Sequence, residues 1–216
     1  MKEYKEIQVA LLGLGTVGLG VYKVLQMQKE EMQHKIGTEI KIKKILVRNL
    51  EKAAGKIEDA SVLTDSWQEI VNDDEIQIVI EVMGGMEPAR TYIMEAMQAG
   101  KQVVTANKDL IAADGKELMD QAKKSGCDLL FEAAVAGAIP IIRPLKQCLA
   151  GNHLSEIMGI VNGTTNFILT KMAEEGMEFQ EALALATELG YAEVDPTADI
   201  EGLDAARKVA ILASIA

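Results

Sequence analysis

An α/β fold, a mostly parallel sheet held between layers of helices, is predicted by three features of this chain. Apolar runs of strand length alternate with helical patterns through its first half. Those runs are continuously apolar rather than alternating, which means burial on both faces of the sheet. The first of them passes directly into the glycine-spaced turn Gly13-Leu14-Gly15-Thr16-Val17-Gly18, at the point where a strand gives way to a helix.

In order along the chain, Ile7–Leu12 is the first strand, and Thr16–Gln33 carries Val17, Val21, Val24 and Leu25 on one helical face. Ile40–Val47 is the second strand. Ser66–Val71 is a short helix that Ser66 can cap, with Glu69 three residues on. Ile76–Glu81 is the third strand, ended by Gly84-Gly85. The helix Pro88–Gln98 follows, with Pro88 near its start and Gly100 at its stop. Gln102–Thr105 and Asp128–Phe131 are the fourth and fifth strands, with Gly115–Lys124 helical between them. Residues 1–137 therefore read as a Rossmann-like domain.

The character changes after Gly137. Ile139–Leu149 reads as a helix, Leu154–Val161 as a strand, and Thr164–Glu174 and Glu178–Leu189 as helices. An acidic loop, Tyr191–Gly202, precedes a last helix over Leu203–Ile215. One strand and a few helices make residues 138–216 a partial α+β domain. The apolar run Ala210–Ala216 needs a surface to pack on, so the second domain is expected to be truncated.

A chain of 216 residues can bury a substantial core, here built from aliphatic side chains because aromatics are only 4%. Its net charge of −11 disfavours non-specific binding to nucleic acid or anionic membranes. No apolar run approaches the roughly 20 residues that span a bilayer. Cys127 and Cys148 show no metal-ligand spacing, which fits reduced thiols and a cytoplasmic setting.

Three roles are set for a nucleotide-binding glycine loop. The first glycine makes the turn, the second admits a pyrophosphate, and the third lets helix and sheet close. Gly13, Gly15 and Gly18 occupy those places, with Leu14, Thr16 and Val17 between them. The second strand ends in Arg48, where an NAD site usually carries a carboxylate. A guanidinium there can pair with a 2′-phosphate, so NADP(H) is preferred, while nearby Glu51 leaves NAD(H) open. Thr105, Asn107 and Lys108 follow the fourth strand, on the crevice side where ligands bind. Beside these stand the plainer readings of Arg48 as a solvated cation and Asn107 as a helix cap.

At the other end, Asp204 and Lys208 are four residues apart on one helical face. Lys208 is the candidate proton donor to a carbonyl receiving hydride, and Asp204 can orient its ammonium. Upstream, Glu193, Asp195, Asp199 and Glu201 crowd one loop, where Glu193 and Asp199 flank the Asp195-Pro196 turn; converging carboxylates suit a cationic group such as a substrate ammonium. Asn162-Gly163-Thr164-Thr165-Asn166 offers neutral hydrogen-bonding groups, with Gly163 allowing close backbone approach and Thr164 or Thr165 able to cap the next helix. Glu132 with neighbouring turn carbonyls has the oxygen chemistry of a hard-cation site. A solvated acidic loop and an ordinary helix-surface ion pair are the competing readings.

Taken together, the glycine turn, Val104-Thr105-Ala106-Asn107-Lys108, Glu132-Ala133-Ala134-Val135-Ala136-Gly137, Asn162-Gly163-Thr164-Thr165-Asn166, Gly190 through Asp199 and Asp204-Ala205-Ala206-Arg207-Lys208 resemble homoserine dehydrogenases, in family order along essentially the whole chain. The resemblance implies reversible hydride transfer between L-homoserine and L-aspartate 4-semialdehyde with NAD(P), in threonine, isoleucine and methionine biosynthesis. It implies that Lys208 is the catalytic lysine, with Lys108 a second lysine in the active site. Glu193, Asp199 and Asp204 match substrate-pocket acids, Glu193 receiving the ammonium. Glu132 with the backbone of Val135, Gly137 and Ile139 matches a sodium site. The complete protein is expected to be a homodimer. Two alternatives remain at this stage: a cofactor-binding fragment without turnover, and another NADP-dependent oxidoreductase of small amino-acid alcohols.

Overall fold

Six parallel strands form a single sheet in the order β3-β2-β1-β4-β5-β6. They are β1 (Glu6–Leu12), β2 (Glu39–Leu46), β3 (Leu63–Thr64), β4 (Ile76–Glu81), β5 (Gln102–Thr105) and β6 (Leu129–Leu130). The computed structural model describes residues 6–192 and 195–216, in two units that divide between Ala134 and Val135. This strand order reverses direction between β1 and β4. Doubly wound sheets bind ligands in the crevice outside such a reversal.

The register brings the strand ends together. Leu12 is opposite Leu46 on one side and Glu81 on the other, and Glu81 is opposite Thr105. Whatever follows these residues therefore emerges along one edge of the sheet. The ladder continues just past it, with Gly13 N–H donating to Leu46 O at 2.9 Å and Val82 N–H to Leu12 O at 3.0 Å.

The helices of this unit are α1 (Thr16–Met27), α2 (Lys29–Ile36), α3 (Leu50–Ala54), α4 (Gln68–Val71), α5 (Ala89–Gln98) and α6 (Lys108–Ser125). Leu11, Leu14, Tyr22, Ile42, Ile45 and Ala53 bury one core between sheet and helices. The expected long helix from Thr16 is two helices, ended at Gln28 (φ −104°, ψ 15°). Glu30 and Glu31 then occupy the first turn of α2, where the helix dipole favours acids. Ser66 does not cap α4; its N–H instead donates to Thr64 Oγ1 at 3.0 Å. The edge strand β3 was too short to show a period in the sequence.

The second unit holds α7 (Gly163–Glu175), α8 (Phe179–Glu188), α9 (Thr197–Ile200) and α10 (Leu203–Ile215). Ile168, Ala182, Ala186 and Ala192 make its small core. The helix expected over Ile139–Leu149 is present over 142–148: Leu145 N–H bonds to Ile141 O at 3.1 Å, and Pro144–Cys148 forms a wider π turn closed by Leu149 N–H to Pro144 O at 3.0 Å. Pro144 lacks the N–H that would bond to Pro140 O, so the helix starts late enough to keep it in the first turn. Leu154–Val161 is not a strand. A strand needs a neighbour to take its N–H and C=O groups, and among the described residues this unit has no strand to pair with it.

Candidate functional site

The edge shared by β1, β2 and β4 opens into a cleft of about 680 Å³. The three glycines can be tested individually at its floor. Gly13 has φ +100°, and a Cβ there would lie 3.1 Å from Val82 O, so the turn requires glycine. A Cβ on Gly18 would come within 2.1 Å of Gly13 O, so the start of α1 is packed against the turn itself. A Cβ on Gly15 would meet nothing within 4 Å. That open space lies at the N-terminus of α1, which no side chain caps. The helix geometry leaves its first N–H groups without intrahelical acceptors, which is the chemistry an anion uses. The residues present therefore fit a dinucleotide pyrophosphate.

Cations line the same cleft. Arg48, Lys52 and Lys56 all border it, and Lys56 Nζ donates to Leu14 O at 3.1 Å. Arg48 comes two residues after the end of β2 and is exposed. Lys52 and Lys56 were not identified from sequence. They follow Arg48 at intervals of four residues, but α3 spans only Leu50–Ala54, so the spacing became meaningful only once the folded segment bordered the glycine turn.

Thr105 and Asn107 are buried and belong to a network whose centre the sequence reading missed. Glu81 is fully buried. Its Oε1 accepts from Met83 N–H at 2.7 Å and Gly84 N–H at 3.3 Å, and its Oε2 accepts from Thr105 Oγ at 2.6 Å. Thr105 Oγ in turn accepts Asn107 N–H at 3.0 Å. Asn107 donates from Nδ2 to Gly85 O at 2.7 Å and caps α6 by accepting Leu110 N–H at 3.2 Å. Met83 and Gly84 line the cleft, so this network shapes its wall. A lone Glu closing the apolar strand Ile76–Ile80 was the available hint. Lys108, half-buried, is the first residue of α6.

Replacing Glu81 by Ala is expected to leave buried donors unpaired, lowering stability by roughly 2 kcal/mol or more, and to weaken NADPH binding by loosening the wall. Glu81→Gln keeps an acceptor for Met83 and Gly84 and should retain most of both. Denaturant unfolding and NADPH fluorescence titration on the two variants measure this; equal binding by Glu81→Ala and the parent would remove the role.

In the second unit, one constellation collects the candidates. Lys208 Nζ donates to Asp204 Oδ2 at 2.6 Å and to Val161 O at 2.6 Å. The side chains of Lys208 and Asp204 are only 17% and 7% exposed, so this is not a solvated surface pair. Asn162 Nδ2 donates to Asp199 Oδ1 at 2.7 Å and to Asp204 Oδ2 at 2.9 Å. Asp199 and Asp204 thus meet through one amide, although α9 and α10 carry them separately. Asp204 also sits in the first turn of α10, where the helix dipole favours a carboxylate.

Other candidates have more local duties. Thr164 is buried, and its hydroxyl donates to Tyr191 O at 2.7 Å, fastening α7 to the loop after α8. Gly163 is exposed at the first position of α7, with open space at its Cβ position. Asp195 accepts from Thr197 Oγ1 at 2.5 Å and from its N–H at 3.1 Å, and these hydrogen bonds hold its carboxyl below the usual carboxylate range. Glu193 lies outside the described residues. Glu132 is in the first unit, on the turn Glu132–Ala134; Val135, Gly137 and Ile139 are in the second, with Ala136 and Gly137 at φ 61° and 56°. Among the described residues, no helix is long and apolar enough to cross a membrane.

Comparison with known proteins gives one answer. The model for the NAD binding domain of homoserine dehydrogenase matches residues 13–132, and that for homoserine dehydrogenase matches residues 140–216. The homoserine dehydrogenase of Bacillus subtilis is 51% identical over 211 residues, covering 98% of this chain and 49% of the relative. A homoserine dehydrogenase structure from Thiobacillus denitrificans superposes with a TM-score of 0.90 at 48% identity, over 97% of this chain and 48% of that one. A hyperthermophilic archaeal homoserine dehydrogenase, solved in complex with NADPH, superposes at 0.85 with 31% identity, over 97% and 69%. The chain spans about half the length of the curated relatives it matches. With both units matched in order, the chain belongs to the homoserine dehydrogenase family.

Proposed function

We propose that this chain serves NADP(H)-preferring homoserine dehydrogenase chemistry, the reversible conversion of L-homoserine and L-aspartate 4-semialdehyde in the biosynthesis of threonine, isoleucine and methionine. The observation that carries the reading is the shielded Lys208 ammonium, held 2.6 Å from Asp204 with Asp199 joined to the same carboxylate through Asn162.

NADP(H) supplies the hydride. In the reducing direction Lys208 gives a proton to the aldehyde oxygen, directly or through water, and its charge stabilises the developing alkoxide. In the oxidising direction it takes the hydroxyl proton back. Asp204 and the Val161 carbonyl hold Nζ in place, so the ammonium does not have to be ordered at the moment of reaction. Asp199, Asp204 and Glu193 supply carboxylates for a substrate ammonium, and Lys108 is a second lysine for the active site. Gly163 and Thr164 place the start of α7 beside the substrate.

The glycine turn from Gly13 to Gly18, with Leu14, Thr16 and Val17, binds the pyrophosphate; Thr105, Asn107 and Lys108 serve the cofactor from the end of β5. Arg48 pairs with a 2′-phosphate, supported by Lys52 and Lys56 along the same cleft. Arg48→Asp is expected to weaken NADP(H) binding about tenfold or more while changing NAD(H) binding much less. Fluorescence titrations with both cofactors measure this, and an unchanged preference would reject the phosphate contact.

The oxygen donors of Glu132 and of the Val135, Gly137 and Ile139 backbone suit a hard cation such as sodium, and that assignment belongs to the same proposal. So do a cytoplasmic location, a boundary near residue 137, and homodimerisation of the whole protein through its second unit. Exposed Met158 and Ile160 supply apolar surface for the last of these. The test is NADP⁺-dependent oxidation of L-homoserine by this chain, followed as NADPH absorbance, with cofactor binding measured on the same sample. Binding without turnover would favour a cofactor-holding piece, and turnover with other amino-acid alcohols but not homoserine would favour a different oxidoreductase.

A further inference from the structure

Asn162 is the residue on which the second-unit constellation turns. Its side-chain oxygen accepts both Thr165 N–H and Thr165 Oγ1 at 2.8 Å, capping α7. That end must be oxygen, because a backbone N–H can only donate. The amide nitrogen is therefore obliged to face the other way, where it has two hydrogens and two carboxylates to receive them. One hydrogen goes to Asp199 on α9 and the other to Asp204 on α10. The residue is buried, so these bonds form with little competition from water.

We infer that Asn162 is the positioning residue of this site: it uses the capped start of α7 as a fixed post from which to hold Asp199 and Asp204 side by side and, through Asp204, to set Lys208. Two carboxylates repel at such range. A neutral group that donates to both allows them to stay together, and Lys208 offsets the charge on Asp204 by donating to the same Oδ2 that accepts from Asn162. This inference rests on the proposed function only for what the assembled groups act upon; the bridging role is a property of the fold itself.

Asn162→Asp and Asn162→Ser separate bridging from capping. Both side chains cap helices well. Serine removes the bridging amide and adds no charge, whereas aspartate sets a third carboxylate against Asp199 and Asp204, with Lys208 the cation bonded within the cluster. Crowded carboxylates have their folded-state pKa raised above the unfolded value, so the folded protein holds more protons and loses stability as pH rises through that range. Thermal unfolding should then place Asn162→Asp below Asn162→Ser at about pH 7.5, with the gap narrowing as pH falls and closing only below about pH 4, the unfolded carboxyl range. In homoserine oxidation both variants should lose about tenfold or more in kcat/KM, with NADPH binding within about twofold of the parent.

An Asn162→Asp protein as stable as Asn162→Ser at neutral pH would overturn the bridge and leave only a cap. A parent chain that binds NADPH but never oxidises homoserine would instead retire the dehydrogenase reading, and the unfolding midpoints would still decide for or against the bridge.

Discussion

Lys208→Ala is expected to abolish the proposed homoserine oxidation, by about a thousandfold or more, and to leave NADPH binding close to that of the parent chain. The magnitude is what a positioned proton donor contributes when charge stabilisation is lost with it. The retention of binding follows from where the cleft is built: the residues proposed to hold the dinucleotide all come from the first unit, between Gly13 and Lys108, whereas Lys208 is on α10. Asp204 keeps its donor from Asn162 in the variant, so the carboxylate is not left bare. Lys208→Arg refines the test. It restores a cation but not an exchangeable proton, since a guanidinium does not deprotonate in the working range. If arginine recovers most of the turnover, Lys208 acts as a fixed charge; if it stays near the alanine level, Lys208 moves the proton. Equal turnover by the parent and Lys208→Ala would remove the lysine from the chemistry.

The glycine turn provides the second large effect, and two substitutions one helical turn apart should fail in different ways. Gly15→Ala is expected to fold like the parent. Gly15 has φ −79° and ψ −160°, which alanine adopts freely, and its added methyl meets nothing within 4 Å. The methyl instead would occupy the space proposed for the pyrophosphate, so NADPH affinity should drop by about a hundredfold, near 2.7 kcal/mol. Gly18→Ala is expected to damage the fold, because its methyl would sit 2.1 Å from a backbone oxygen. Moving α1 off the turn to relieve that overlap should lower stability by roughly 3 kcal/mol. Unfolding curves beside NADPH titrations distinguish the two. A Gly15→Ala protein that binds NADPH normally would show that the cofactor does not approach α1 through that opening.

Much of the fold was legible in the chain because its signals are local. Ile76–Glu81 and Gln102–Thr105 are strands over the residues their apolar runs indicated, and Leu203–Ile215 is a helix over the residues its pattern indicated. Where a single segment does not settle its own state, reading it alone failed. Leu154–Val161 has strand composition, but a strand is completed by its neighbour. The helix predicted over Ile139–Leu149 begins only at residue 142, because Pro144 has no N–H to bond back to Pro140 O and is tolerated only in a first turn.

The site divides along the same line. Asp204 and Lys208 could be paired from sequence, since a spacing of four on a helix is itself a distance. Glu81 and Asn162 could not be recognised as centres of networks. Their partners are 24 residues away at Thr105, and 37 and 42 away at Asp199 and Asp204.

The order of amino acids was sufficient to specify the α/β class, the three glycine roles and the chemical types gathered near Lys208, because backbone preference and side-chain chemistry are carried residue by residue. Which donors meet which acceptors was settled by the register that sets Glu81 beside Thr105 and by the packing that brings α7, α9 and α10 together around one amide. Hydrogen bonds act over about 3 Å, and separations that small between distant parts of a chain come into being only when the whole unit folds.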